Sequence, residues 1–105
     1  QITAAQNGTI LGGLMTCLEV PVGGADDIDL YYATEGTGEF DSPVGDLTEV
    51  ALITAGAAWT LALTKAFAAF AASANKYLYL TGGEACTAAT YTACKFLIEM
   101  YGYAA

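Results

Sequence analysis

The chain has 105 residues, with eleven Asp and Glu against three lysines, no arginine and no histidine, for a formal charge of −8. That acidity argues against a nucleic-acid partner, which needs clustered Lys and Arg to displace counterions, and against docking on an anionic membrane surface. Without histidine, and with serine only at Ser42 and Ser73, a Ser-His-Asp site cannot be built, so composition leans away from an enzyme.

Residues 1–9 are polar and carry no core pattern, which marks an N-terminal arm ahead of a single domain over 10–105. From residue 10 onward the chain is a series of short apolar segments punctuated by Gly and Asp, an all-β rhythm. Residues 10–22 are rich in Leu, Ile, Val and Met and stop at Gly23-Gly24. Within them Ile10, Leu14, Leu18 and Val20 share one parity, and Gly12-Gly13 suggest a bulge or bend. Residues 27–32 alternate, with Ile28, Leu30 and Tyr32 against Asp27, Asp29 and Tyr31, as in a half-buried strand whose acidic face meets solvent. Residues 35–45 hold three glycines, Pro43 and three acids, and read as a surface loop. Apolar runs follow at 47–54 and 58–63.

Residues 64–75 are mostly Ala and Phe. Ala favours helix, and Phe67 and Phe70 stand three apart, so a short helix or irregular crossover is expected there. One longer helix over 57–74 is the rival, and would make the protein α+β. Residues 76–81 set Tyr77 and Tyr79 on one face and Leu78 and Leu80 on the other, ahead of a turn at Gly82-Gly83. Residues 90–92 and 95–103 end the chain in strand-like runs. About 7–8 short strands with turns every ten residues or so predict an all-β fold, a β-sandwich of jelly-roll-like character.

Hydrophobic residues make up 55% of the chain and charged residues 13%, about half the usual charged share. The uncharged surface must then be built from Thr, Ala, Gly and Tyr. A surface this neutral is better explained by cover from other subunits than by a bland free monomer. Residues 50–75 are long enough to span a bilayer and carry one charge, Lys65. They are Ala-rich, hold Gly56 and several Thr, and lack flanking Lys/Arg clusters, so no membrane span is expected. The opening Gln1-Ile2-Thr3-Ala4-Ala5 has neither a basic segment nor a long apolar run, and no signal peptide is read in it.

Nine of the eleven acids lie between Glu19 and Glu49. They supply hard oxygen ligands of the kind calcium takes, but no D-x-D-x-D-G loop organises them, and a solvated rim is the simpler reading. Glu39 and Asp41 form a conceivable carboxylate pair for glycoside hydrolysis, with nothing to raise either pKa. Trp59 sits in an apolar run and reads as core. Cys17, Cys86 and Cys94 are odd in number. Cys86 and Cys94 are candidates for a disulfide across a hairpin, against the simpler reading of three buried thiols. No C-x-x-C or His accompanies them, so zinc is not expected, nor is any cofactor. Asn7-Gly8-Thr9 is a formal glycosylation sequon.

The run Lys76-Tyr77-Leu78-Tyr79-Leu80-Thr81-Gly82-Gly83, then Thr87 to Thr92, then Lys95-Phe96-Leu97-Ile98-Glu99-Met100-Tyr101-Gly102-Tyr103, resembles the ending of small structural proteins of tailed bacteriophages. Val22-Gly23-Gly24-Ala25-Asp26-Asp27-Ile28-Asp29-Leu30 looks like their glycine turn and acidic step into a strand. Cys94 stands where that pattern commonly has Gly. The resemblance implies a capsid decoration (cement) protein on the outer surface of an icosahedral head. Its partner would be the major capsid protein, and it would form a homo-oligomer, a trimer by preference. The contacts expected on this reading are Gln1, Ile2 and Thr3 of the arm, with Tyr31, Tyr79, Tyr101 and Tyr103, since tyrosines suit interfaces. The alternative is a secreted filament subunit of pilin type, in which residues 2–11 complete a neighbour's sheet. A Cys86–Cys94 disulfide would favour the filament, and free thiols the virion.

Overall fold

The computed structural model describes residues 1–39, 43–71, 75–83 and 89–104. The chain runs through a helical turn α1 (Ala4–Asn7), β1 (Thr9–Val22), β2 (Ile28–Ala33), a 3-10 turn (Val44–Asp46), β3 (Glu49–Ile53), β4 (Thr64–Phe70), β5 (Tyr77–Gly82) and β6 (Ala93–Tyr103). The strands form two antiparallel sheets of order β4-β1-β6 and β3-β2-β5. The fold is therefore an all-β, sandwich-like one, with six strands among the described residues instead of seven or eight. The shortfall has a local cause. Residues 58–63, read as a strand from their apolar character, form a crossover whose turn ends on Ala62 at φ 67°.

The helix or irregular crossover expected near 64–75 is corrected over its first seven residues, which form β4 and pair along β1 from Thr16↔Thr64 to Ile10↔Phe70. Both strands take the same three-residue step there: Ile10 and Gly13 lie opposite Phe70 and Phe67, and both rings face the core. The spacing of three that imitates a helical face belongs to a kinked strand. Tertiary pairing overrides the helix propensity of Ala.

The glycine pair also corrects the parity of β1. A register shift against β6 lies between Ile10 and Gly12. Beyond it Met15 and Cys17 point inward and are fully buried, while Leu14 and Leu18 fall on the opposite face from Ile10. A bulge inserts one residue on one strand, and everything after it changes sides. Gly13 then lies in the inner row between Phe67 and Met100. A Cβ there would fall on the end of the Phe67 ring, so the missing side chain is space that the ring occupies.

The core combines Ile10, Met15, Cys17, Phe67 and Phe70 of one sheet with Ile28, Leu30 and Ile53 of the other, and Trp59 of the crossover, as its sequence context predicts. Each large apolar side chain removed from water contributes about 1.5–3 kcal/mol. On one side β3 lies against β4; among the described residues β5 and β6 make no comparable approach. That side is the more open: Leu80 lies in the same row as the fully buried Leu30 yet is 48% exposed.

The N-terminal segment does hold a core residue. Ile2 is 3% exposed, and its backbone exchanges hydrogen bonds with Lys76, at 2.7 and 2.9 Å. Residues 3–8 form a self-capped turn: Thr3 Oγ1 accepts from the Gln6 amide, and Asn7 Oδ1 accepts from the Thr3 amide. The asparagine of the sequon, Asn7, thus has its side chain engaged in the turn. No helix among the described residues is long and apolar enough to cross a membrane; residues 50–71 are divided among β3, the crossover and β4.

Gly13→Ala tests the bulge and the space it leaves for Phe67. We expect a loss of about 1–3 kcal/mol from overpacking, measured as a lower urea midpoint with unchanged m, followed by Trp59 fluorescence. Asp29→Ala, which strands the buried Ala55 amide described below, should cost about 1–3 kcal/mol in the same assay.

Candidate interaction surface

The two sheets differ in what covers their outer faces. The outer face of β3-β2-β5 is covered by the chain's own loops. Asp29, expected on a solvated rim, is 1% exposed, because the crossover folds over it and the Ala55 amide donates to Oδ1 at 2.7 Å. Trp59 fastens the same crossover: its indole N–H donates to Ile28 O at 2.7 Å and its amide to Asp26 O at 2.9 Å.

Tyrosines hold the other loops. Tyr79 donates its hydroxyl proton to Glu35 O at 2.7 Å and accepts from the Gly38 amide at 3.1 Å. Its ring lies where a Gly38 side chain would be, and the Tyr77 ring occupies the equivalent space at Gly36. Tyr31, the register partner of Tyr79, is half-buried beside it. Tyr91 donates to Ala25 O at 2.7 Å and lies against Gly24. Burial pushes its phenol pKa up, with smaller contributions from Cys94, Asp27 and Asp26. At the other end of the 35–48 loop, the Glu35 carboxylate accepts from the Thr48 hydroxyl at 2.6 Å and the Thr48 amide at 2.9 Å.

Among the described residues, no loop covers the outer face of β4-β1-β6. Its cross-strand rows read Thr64–Thr16–Leu97, Ala66–Leu14–Glu99 and Ala68–Gly12–Tyr101. Thr16 and Thr64 spend their hydroxyls on each other at 2.8 Å, which leaves little polarity to offer water. Leu97 and Tyr101 are 45% and 55% exposed, and Leu11 and Leu18 are similarly open. The Tyr101 ring lies over the Gly12 backbone, which fixes the ring at the surface. Charge enters this face at Lys95 and Glu99 of β6 and at Glu19 of β1, the register partner of Lys95. Most of the acids lie elsewhere, in β2, β3 and the loops around them.

The residues expected at an interface therefore separate. Tyr101 and Tyr103 are exposed together near the end of β6. They also line an open groove of about 590 Å³ with Gln6, Asn7 and Met100, between α1 and the end of β6. Tyr31 and Tyr79 lie on the other sheet, and the Tyr79 hydroxyl serves the Glu35 loop. Gln1 donates to the Tyr77 hydroxyl at 3.1 Å, Thr3 caps α1, and Ile2 is inside. The structure does not bring these seven residues together. The surface residues that sequence reasoning missed are Leu11, Leu18 and Leu97. Their signal was that β1 is apolar on both parities, which marks a strand covered on both faces.

Cys86 and Asp41 lie outside the described residues, so the disulfide with Cys94 and the pair with Glu39 fall there too. Cys94 is half-buried, and burial and, to a lesser degree, Cys17 and Glu19 raise the pKa of its thiol. Among the described residues no three Asp, Glu or Cys side chains gather into a metal-holding group.

The Glu35 clamp has a pH signature. Hydrogen bonds from the Thr48 hydroxyl and amide hold its carboxyl below the ordinary value of 4.5. A depressed folded-state pKa stabilises above the unfolded value and is lost as pH falls through the folded one. An NMR titration should therefore show the Glu35 carboxyl and the Thr48 amide moving together below pH 4.5. In Glu35→Gln the Thr48 amide should show no such transition. A Thr48 amide that titrates alike in both proteins would refute the clamp.

Neither protein-family models nor curated proteins match this sequence, and no solved structure matches its fold.

Proposed function

We propose that this chain is a structural assembly protein whose bare β4-β1-β6 face binds a larger surface, and that it acts as a decoration (cement) protein on the outside of an icosahedral phage head. The observation that carries the reading is the contrast between the two sheet faces. Among the described residues, one face is covered by clamped loops; the other presents Leu11, Leu18, Leu97 and Tyr101 to solvent around the small residues Gly12, Ala66 and Ala68. Contiguous exposed apolar area of this kind marks an interaction site in a soluble protein. Exposed aromatics beside branched aliphatics make good anchors.

The binding mechanism follows from the two faces. The apolar face would bury area across the joint between capsomers, in contact with the major capsid protein, and each contact would oppose separation of those subunits. The acidic loops of the other sheet would then face outward. The resemblance of the residues 76–83 and 95–103 to phage structural proteins supports the same placement on the virion. The filament alternative draws no support from the N-terminal segment. Thr9 and Ile10 at the start of β1 are paired with β6 of the same chain, and Ile2 fills its own core.

Immunogold electron microscopy of the native material should place the chain at regular spacing on icosahedral shells. Label along helical threads, or only in the unassembled fraction, would overturn the reading. Leu18→Glu and Tyr101→Glu should weaken shell binding by about tenfold or more each. Val50→Glu, on the opposite sheet, should bind like the unaltered chain.

A further inference from the structure

Strand β6 is a second, separate recognition element. It is the longest edge strand, running over Ala93–Tyr103, and among the described residues it pairs only with β1. Its inward row, Cys94, Phe96, Ile98 and Met100, packs against the core yet stays only half-buried, on the side where, among the described residues, β5 and β6 make no approach comparable to that of β3 and β4. Its outward row is Lys95, Leu97, Glu99 and Tyr101, all exposed. Proteins ordinarily protect an edge by placing charge on it. Here the two charges are opposite in sign and lie symmetrically, two residues either side of Leu97.

We infer that β6 pairs antiparallel with β6 of a second copy about a two-fold axis at Leu97, joining two β4-β1-β6 sheets into one continuous sheet of six strands. The register is dictated by the sequence of the strand. With Leu97 opposite Leu97, each Lys95 faces the other copy's Glu99, Phe96 faces Ile98, and Cys94 faces Met100. Every cross-strand pair is then like with like in polarity and opposite in charge. A shift by two residues in either direction breaks the charge match. Lys95 already has Glu19 as its neighbour on β1, so in the pair this cation would lie between two carboxylates. A chain of charge −8 repels its own copies. Association is favoured only where the nearest charges attract, and β6 is such a place, because most of the acids lie on the other sheet and its loops. A two-fold contact of this kind is isologous and closes after two copies. It would also double the bare face, and so it deepens the assembly reading above by naming the partner of this edge.

Sedimentation velocity of the full chain over a wide concentration range tests the pairing. A monomer–dimer equilibrium is expected, without trimer. Lys95→Glu and Glu99→Lys each set like charges against one another and should weaken the dimer by about tenfold. The double variant Lys95→Glu/Glu99→Lys restores opposite charge across the axis and should recover most of the affinity. Leu97→Lys, which opposes two lysines at the axis, should leave only monomer. Hydrogen exchange should show alternate β6 amides protected in the dimer and released on dilution. All three positions altered are exposed on the strand's outer row, and the near-UV signal of Trp59 reports that the fold is kept. A monomer at every concentration, a trimer, or a dimer indifferent to both single reversals would overturn the proposal. Shell labelling reads the other question independently. A monomer that decorates shells defeats the pairing alone, and a dimer that decorates nothing defeats the decoration reading alone.

Discussion

Trp59 joins the two layers of this protein. Its side chain is 1% exposed, its ring meets the Phe96 ring edge-on at 5.0 Å, and its indole N–H is used by Ile28 O. Phe96 belongs to one sheet and Ile28 to the other, so a single residue on a loop spans the sandwich. The Lys65 ammonium lies 5.8 Å from its ring centre, which places a charged head at the rim while the lysine stem covers the core. A loop of small residues such as 54–60 has little apolar area of its own. It is held because the indole is buried and because Asp29 accepts the Ala55 amide beneath it. A buried carboxylate is expensive to desolvate. Its presence at the start of β2 is explained by the backbone amide it satisfies, which would otherwise be stranded when the crossover closes.

The same fastening produces the asymmetry on which function rests. Loops that are clamped by Tyr79, Tyr91, Glu35 and Asp29 cover one sheet. Among the described residues no comparable loop covers the other, where β1 is joined to its neighbours by long runs of ladder pairing. Small residues dominate the bare face because β4 is Ala-rich, so the face is flat and its backbone lies near the surface. Flatness and low charge together suit contact with an extended surface better than capture of a small molecule. The separation of acids from this face prevents the net charge from opposing such contact.

Tyrosine illustrates how one residue type divides by placement. At Tyr77, Tyr79 and Tyr91 the ring fills space left by a glycine in the facing loop, and at Tyr79 and Tyr91 the hydroxyl bonds a loop carbonyl. Tyr32 turns inward and stacks on Phe70 at 4.9 Å. Tyr101 and Tyr103 alone lie well exposed at the surface. Sequence reasoning expected Tyr31, Tyr79, Tyr101 and Tyr103 alike at an interface, because the side chain is the same. The neighbouring glycines, Gly24, Gly36 and Gly38, were the missed signal. A glycine in a loop can mark the footprint of an aromatic ring as well as a turn.

Much of the architecture was legible in the sequence. Short apolar runs between glycines and acids specify strands, the alternation at 28–32 locates β2, and the aromatic run at 95–103 locates β6. Trp59 declared itself as core by its apolar context, and Gly12-Gly13 announced a bulge. These features are local, and local propensity and period decide them. What the tertiary structure decided depends on pairing. The side of the bulge on which Leu14 and Leu18 fall, the strand state of residues 64–70, and the burial of Asp29 each require knowing which segment lies alongside. Ala and Phe at a spacing of three are compatible with helix or with kinked strand until β1 offers a ladder and room for two rings. An aspartate on an alternating strand is a surface residue until a crossover brings it an amide.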